Sequence, residues 1–140
     1  MATVSDYGSW ESAIDADIIT SGNCKVICEL QANDESVFWI EQLFPDGRRC
    51  IFESKDGGSP IQWTPPDISV RNAVHEYGGG SFFVADRYLL FVTTNGVYRQ
   101  RSPGSEPEII FEDGPSRRFA DLFFHKVSSC HHFSSLFSHS

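Results

Sequence analysis

Apolar residues alternate with polar ones over short stretches of this chain, and a polar or glycine-rich break follows each stretch. Lys25 to Gln31 alternates with β-branched and apolar residues, and Asn33-Asp34-Glu35 turns the chain. Ser36 to Gln42 (SVFWIEQ) then reads as a second strand of aromatic and β-branched residues. Phe44-Pro45-Asp46-Gly47 is a strong turn signal, because proline fixes φ and Asp-Gly supplies an acceptor and a permissive backbone. Arg48 to Ser54 (RRCIFES) is the third strand, Lys55 to Ser59 the next turn, and Ile61 to Thr64 a short fourth strand. The pattern then repeats as Ser81 to Ala85, Tyr88 to Thr93, Val97 to Gln100 and Glu108 to Phe111. Asp86-Arg87, Thr94-Asn95-Gly96 and Ser102-Pro103-Gly104 mark the turns between them, the Asn-Gly pair being favoured in two-residue hairpins.

The two halves can be laid over each other. DESVFWIE from Asp34 matches DRYLLFVT from Asp86 at an offset of 52 residues, and IQWT from Ile61 matches EIIF from Glu108 at an offset of 47. Two four-strand sets with a period of about 50 residues have the spacing of β-propeller blades. A β-sandwich would also accommodate short strands at this spacing, but it needs no similarity between its halves. The expected fold is therefore all-β: a partial β-propeller of about two four-stranded blades plus the start of a third in Phe119 to His125. Residues 1–22 are an N-terminal lead-in, in which Ile14, Ile18 and Ile19 fit either one or two helical turns or extended chain. Residues 23–125 are the partial propeller. Two blades would leave apolar faces and strand edges bare, so the chain reads as a piece of something longer.

Composition narrows the function classes. Hydrophobic residues make up 40% of the 140, enough for a core, and 11 basic against 19 acidic residues give a net charge of −8. With no Lys/Arg-rich block there is no footprint for nucleic acid or anionic lipid. Neither an apolar run long enough for a bilayer nor a signal-peptide pattern is present, so a cytoplasmic location is expected. Cys24 and Cys28 lie roughly 13 Å apart along a strand at ~3.3 Å per residue, too far for a disulfide. They read as small buried hydrophobes facing the same way as Val26.

The densest cluster of unusual residues joins the halves: TPPDISVRNAVHEYGGGS, from Thr64 to Ser81. Pro65 and Pro66 forbid a regular element. Gly78, Gly79 and Gly80 suit positive φ or close approach to another surface. Arg71, His75, Glu76 and Tyr77 lie between; they suit either a solvated loop with a local Arg71–Glu76 pair or a loop presenting donors and charges to a partner domain or substrate. Neither Ser59 nor Ser81 has the flanking glycines of a nucleophile elbow. His75 and Glu76 are neighbours that would face opposite ways in a strand. No catalytic residue is therefore assigned.

YGSW at Tyr7 to Trp10, DESVFWIE, the TPP of Thr64 to Pro66, VRNAVHEYGGGSFFV from Val70, VYRQ at Val97 to Gln100 and RRFADLFFH from Arg117 together resemble the N-terminal propeller of the prolyl oligopeptidase family of serine peptidases. The similarity covers roughly residues 5–125 and is closest to the dipeptidyl aminopeptidase and acylaminoacyl-peptidase-like members. VHEYGGG is its specific part. The resemblance implies a β-propeller that gates peptide substrates above an α/β-hydrolase domain holding the serine, aspartate and histidine. None of that domain is in this sequence, so the chain alone is expected to be inactive, with the hydrolase domain of the full-length enzyme as partner and peptides as substrates of the parent. Arg71, His75, Glu76, Tyr77 and Gly78 to Gly80 are then the interdomain or substrate-side loop. The alternative is a non-catalytic interaction module binding through exposed blade edges by strand addition.

The end departs from the family. Lys126 to Ser140 (KVSSCHHFSSLFSHS) is rich in Ser, His and Phe and is expected to be a divergent, disordered tail. Cys130, His131, His132, His139 and His125 invite a zinc hypothesis, but consecutive ligands without a Cys-x-x-Cys or His-x-x-x-His pair argue against it. No metal and no cofactor is expected.

Overall fold

A computed structural model of the chain describes residues 4, 6–9, 16–17, 25–72, 74, 79–112, 117–124 and 131–136; side chains are described for these except 124 and 131–136. Among the described residues ten strands run in chain order: β1 (Val26–Ala32), β2 (Ser36–Gln42), β3 (Arg49–Lys55), β4 (Ile61–Gln62), β5 (Phe82–Ala85), β6 (Tyr88–Thr93), β7 (Gly96–Gln100), β8 (Glu108–Glu112), β9 (Arg118–Phe124) and β10 (His131–Leu136). β1 to β4 form one antiparallel sheet in sequence order, β5 to β8 a second, and β9 with β10 a two-stranded third. This is a partial β-propeller of two four-stranded blades and the start of another. Ala16 and Asp17 are helical, while Ile14, Ile18 and Ile19 lie outside the described residues.

The alternation read from the sequence becomes two cores. On β6, Leu89 and Phe91 point to one face and Leu90 and Val92 to the other, as successive strand residues must. Leu89, Phe91 and Phe82 close against Phe38, Ile40, Ile51, Trp63 and Val70 of the first blade. Leu90, Val92 and Val97 close against Phe119 and Leu122 of the third sheet. A strand buried on both faces reads as a continuous apolar run, which is why Leu89 to Val92, the buried centre of YLLFVT, has no polar position. Burying side chains such as Phe82 and Phe91 stabilises the fold by roughly 1.5–3 kcal/mol each.

Several polar groups that these cores enclose are paired, while the buried Gln100 Oε1 has no hydrogen-bond partner among the described residues. Glu53 accepts from the Ser36 hydroxyl at 2.7 Å and from the Trp63 indole at 2.8 Å. Buried Glu41 meets Lys25 Nζ at 3.2 Å. The side chain of Cys50 is wholly enclosed, and burial pushes its thiol pKa up.

Several turns differ in detail from the sequence reading. Thr93 pairs with Gly96, so the two-residue turn of the β6–β7 hairpin is Thr94-Asn95 and Gly96 opens β7. The register of β1 shifts between Ile27 and Glu29, leaving Cys28 on a bulge. That breaks the alternation expected to align Cys28 with Val26: Cys28 packs on the first core while Val26 is 41% exposed. Cys24 lies outside the described residues. The Phe44–Pro45 peptide is cis. Within the stretch expected to be a structureless tail, His131 to Leu136 pair with Phe124 to Arg118. The backbone groups along that edge of β9 give the short segment a ladder that its composition does not advertise.

Candidate functional site

Antiparallel order places the β2–β3, β4–β5 and β6–β7 connections at one end of the stacked sheets, with the approach to β9. The β4–β5 connection is the stretch that the sequence singled out. It leaves the first blade through Val70, whose N–H donates to Arg49 O at 2.9 Å. It joins the second through Arg71, whose N–H donates to Val92 O at 3.0 Å. Arg71 is exposed. His75, Glu76, Tyr77 and Gly78 lie outside the described residues, and so does the local Arg71–Glu76 pair.

Asn72 organises the glycine end of this connection. Its side chain is buried, and Nδ2 donates to Gly79 O and to Ser81 Oγ, both at 2.8 Å. Oδ1 accepts from Gly79 N at 2.9 Å and Val74 N at 3.4 Å. Gly79 and Gly80 serve close approach, the second of the two roles open to the glycine run. A Cβ on Gly79 would stand 3.0 Å from Ala120 Cβ, and one on Gly80 would stand 3.0 Å from Asp121 Oδ1. Gly80 N donates to that carboxylate at 2.8 Å, and Asp121 N returns a bond to Gly80 O at 2.8 Å. Asp121 holds φ +54°, a conformation aspartate tolerates better than most residues. The glycine loop therefore joins the second blade to the third sheet.

A second set of bonds ties the first blade to the second. Glu29 and Gln31, two apart on β1, reach the unpaired edge of β5. Ser81 N donates to Glu29 Oε2 at 2.8 Å. Gln31 donates to Phe82 O at 2.6 Å and accepts from Val84 N at 3.1 Å. The Gln31 amide thus takes the place of a neighbouring strand. Ser81 is 2% exposed at the head of β5, and its hydroxyl donates to Gly79 O at 3.3 Å. Ser59 is exposed.

A cleft of about 170 Å³ opens beside this crossing, floored by Asn72, Val92 and Phe119 and walled by Thr93, Thr94, Arg117 and Arg118. Hydroxyls and guanidinium groups suit it to carboxylate or carbonyl oxygens. A second cleft, of about 240 Å³, lies at the opposite end between the blades and mixes Glu35, Glu53 and Asp86 with Lys55, Arg87 and Arg101. Among the described residues no group of three or more His, Cys, Asp or Glu could hold a metal ion. His125, Cys130 and His139, and the side chains of His131 and His132, lie outside them. No helix among the described residues is long and apolar enough to cross a membrane.

No protein-family model matches the sequence, and no curated protein does. Solved structures do match. A puromycin-hydrolyzing peptidase of Mycobacterium tuberculosis aligns with a TM-score of 0.68 at 22% identity, over 91% of this chain and 21% of that one. A puromycin hydrolase aligns at 0.62 and 22% identity, over 87% of this chain and 20% of that one. At this identity the likeness is one of fold, and the chain spans about a fifth of the length of the structures it matches.

Proposed function

We propose that this chain is the N-terminal, substrate-gating propeller portion of a serine peptidase of the prolyl oligopeptidase family, and that it is inactive without the hydrolase domain of the full-length enzyme. The observation that carries the reading is the run of consecutive blades aligning with two puromycin-hydrolysing enzymes over about nine-tenths of this chain. The motif VHEYGGG supports it from the sequence. In this reading the end bearing Arg71 to Gly80 faces the hydrolase domain or the mouth of the substrate passage, with Arg71, His75, Glu76 and Tyr77 supplying charges and donors. The bonds among Asn72, Gly79, Gly80 and Asp121 anchor the two ends of that connection. Peptides are the substrates and the cytoplasm the location of the parent enzyme.

An antibody against the exposed Lys55 to Ser59 turn tests this on native extract. The precipitate is labelled with a fluorophosphonate probe that reacts with activated serines and is read by size. A labelled band several times larger than 15.7 kDa is the expected result, while the recombinant 140-residue chain takes no label. Precipitates that carry the epitope without any serine-reactive band would overturn the reading.

A further inference from the structure

Four aspartate or asparagine residues precede a glycine: Asp46, Asp56, Asn95 and Asp113. In such a pair the glycine N–H, unshielded by a side chain, can attack the carboxyl or carboxamide carbon of the residue before it and close a succinimide ring. From the dipeptides alone Asn95-Gly96 would react first, because a carboxamide is a better electrophile than an ionised carboxylate. The fold reorders them. Asp113 and Gly114 lie outside the described residues.

Two of the pairs are held. Gly47 N donates to Leu43 O at 2.9 Å, while Asp46 Oδ1 and Oδ2 accept from Arg48 N at 3.0 Å and Arg48 Nε at 3.4 Å. At the β6–β7 hairpin Val92 turns its N–H and carbonyl toward Ser81 and Arg71, so Thr93 turns its own toward β7 and closes with Gly96. The Gly96 N–H is thereby occupied in the ladder, and the buried glycine is fixed against the Phe111 carbonyl.

Asp56-Gly57 is the exception. It forms the turn between β3 and β4, with both residues exposed and both at left-handed φ, +50° and +72°. Asp56 N donates to Glu35 O at 3.2 Å and Gly58 N to Lys55 O at 2.8 Å, which anchors the turn on either side. Between these bonds, the Gly57 N–H and the Asp56 carboxyl have no hydrogen-bond partner among the described residues. A Cβ on Gly57 would meet nothing within 4 Å, so the reacting groups have room to close.

We propose that Asp56 is the site at which this chain isomerises to isoaspartate. Gly57 N bonds to Cγ of the protonated Asp56 carboxyl, and the amide proton and the carboxyl hydroxyl leave as water. Solvent water then opens the ring. Addition at Cγ restores aspartate; addition at the main-chain carbonyl carbon breaks its bond to Gly57 N, routes the chain through Cγ and frees the α-carboxylate. The product keeps the mass of the starting chain but has one more backbone atom between β3 and β4, whose pairing rests on Phe52 with Gln62 and Glu53 with Ile61. The inference does not rest on the peptidase reading.

Ageing the intact chain in water enriched in heavy oxygen tests it, since each ring opening writes a label into the residue that cyclised. After return to ordinary water, tryptic peptides and their fragments locate the label, and a parallel sample in guanidinium chloride reports the same pairs without the fold. In the folded chain Asp56 should take up label ahead of Asp46 and Asn95 and should carry isoaspartate. In denaturant Asn95 should lead instead, its rate raised about tenfold or more because the Gly96 N–H no longer waits on local opening of the ladder. Label at Asn95 or Asp46 ahead of Asp56 in the folded chain overturns the proposal. So does an Asp56 that stays unlabelled after the denatured sample has reacted, and so does an Asn95 rate that denaturant leaves unchanged.

Discussion

Asn72 grips Gly79 by both of that residue's backbone groups, accepting from its N–H at 2.9 Å and donating to its carbonyl at 2.8 Å. The same side chain holds Ser81 Oγ. One buried amide thereby closes the loop that carries Arg71 and the glycine run.

Asn72→Ala removes all these bonds, leaving the buried Val74 N and the exposed Gly79 N without that partner while Gly79 O keeps the Ser81 hydroxyl. The expected loss is about 1–2 kcal/mol. A urea titration reads it as a lower midpoint at unchanged slope. A shift of only about 0.5 kcal/mol, the range of ordinary surface substitutions, would show that the loop keeps its shape without the amide.

Gln31 makes the corresponding link between the first two blades. Gln31→Ala should cost about 1–2 kcal/mol, since Phe82 O and Val84 N both lose a partner. The sharper readout is amide exchange: Val84 N–H should exchange faster in the variant while Leu90 N–H, on β6 within the same blade, keeps its protection. Equal acceleration at both sites would mean a global effect and no local bridge.

The legibility of each feature in the sequence depends on the range of the interactions that make it. β2 and β6 match their sequence-read bounds residue for residue, because alternation and the flanking turns are local signals. The stack of sheets followed from the repeat. Glu29, Gln31, Asn72 and Asp121 were not singled out, although the cross-sheet tethers rest on them. Three of these residues bond to partners 41 to 53 positions away, and no local pattern marks such a contact. Asn72 bonds within nine residues, and its signal was present: an asparagine that can mimic backbone, ahead of a glycine run. The bulge at Cys28 was hidden for a related reason, since an extra residue in a ladder is defined by the partner strand.

Gly96 is the most constrained glycine of the second blade. It opens β7 at φ +153°, and a Cβ built there would overlap the Phe111 carbonyl oxygen, a backbone atom held by the β7–β8 pairing. Gly96→Ala should therefore cost more than about 3 kcal/mol, a magnitude reserved for steric or backbone conflict. Gly104→Ala is the comparison: it shares a positive φ, here +69°, but its Cβ would meet nothing within 4 Å. Its cost should be close to that of left-handed strain alone, about 1–2 kcal/mol. Equal losses in thermal unfolding would mean that the Phe111 contact is relieved by a small movement of β8.

Acid should weaken the fold through its surface pairs, and the sign follows from the direction of each shift. The hydrogen bond from Lys55, at 2.6 Å, holds the Glu35 carboxyl below its ordinary 4.5. The bond from Arg99, at 2.7 Å, does the same for Glu108. A carboxylate whose folded pKa is depressed favours the folded state when ionised, so its contribution is complete above 4.5 and disappears as pH falls through the lower folded value. Lys55 is raised above its ordinary 10.5 by the same bond, so that pair also weakens when alkaline pH passes the lysine range. Glu35, Glu108 and Lys55 are all exposed, so each effect is modest and screened by salt. The urea midpoint should fall as pH drops below 4.5, and Glu35→Gln with Glu108→Gln should flatten part of that fall at low salt. A double variant with an undiminished acid slope would assign the sensitivity to the remaining carboxylates, Asp46 among them, which the Arg48 backbone N–H holds below its ordinary 3.8.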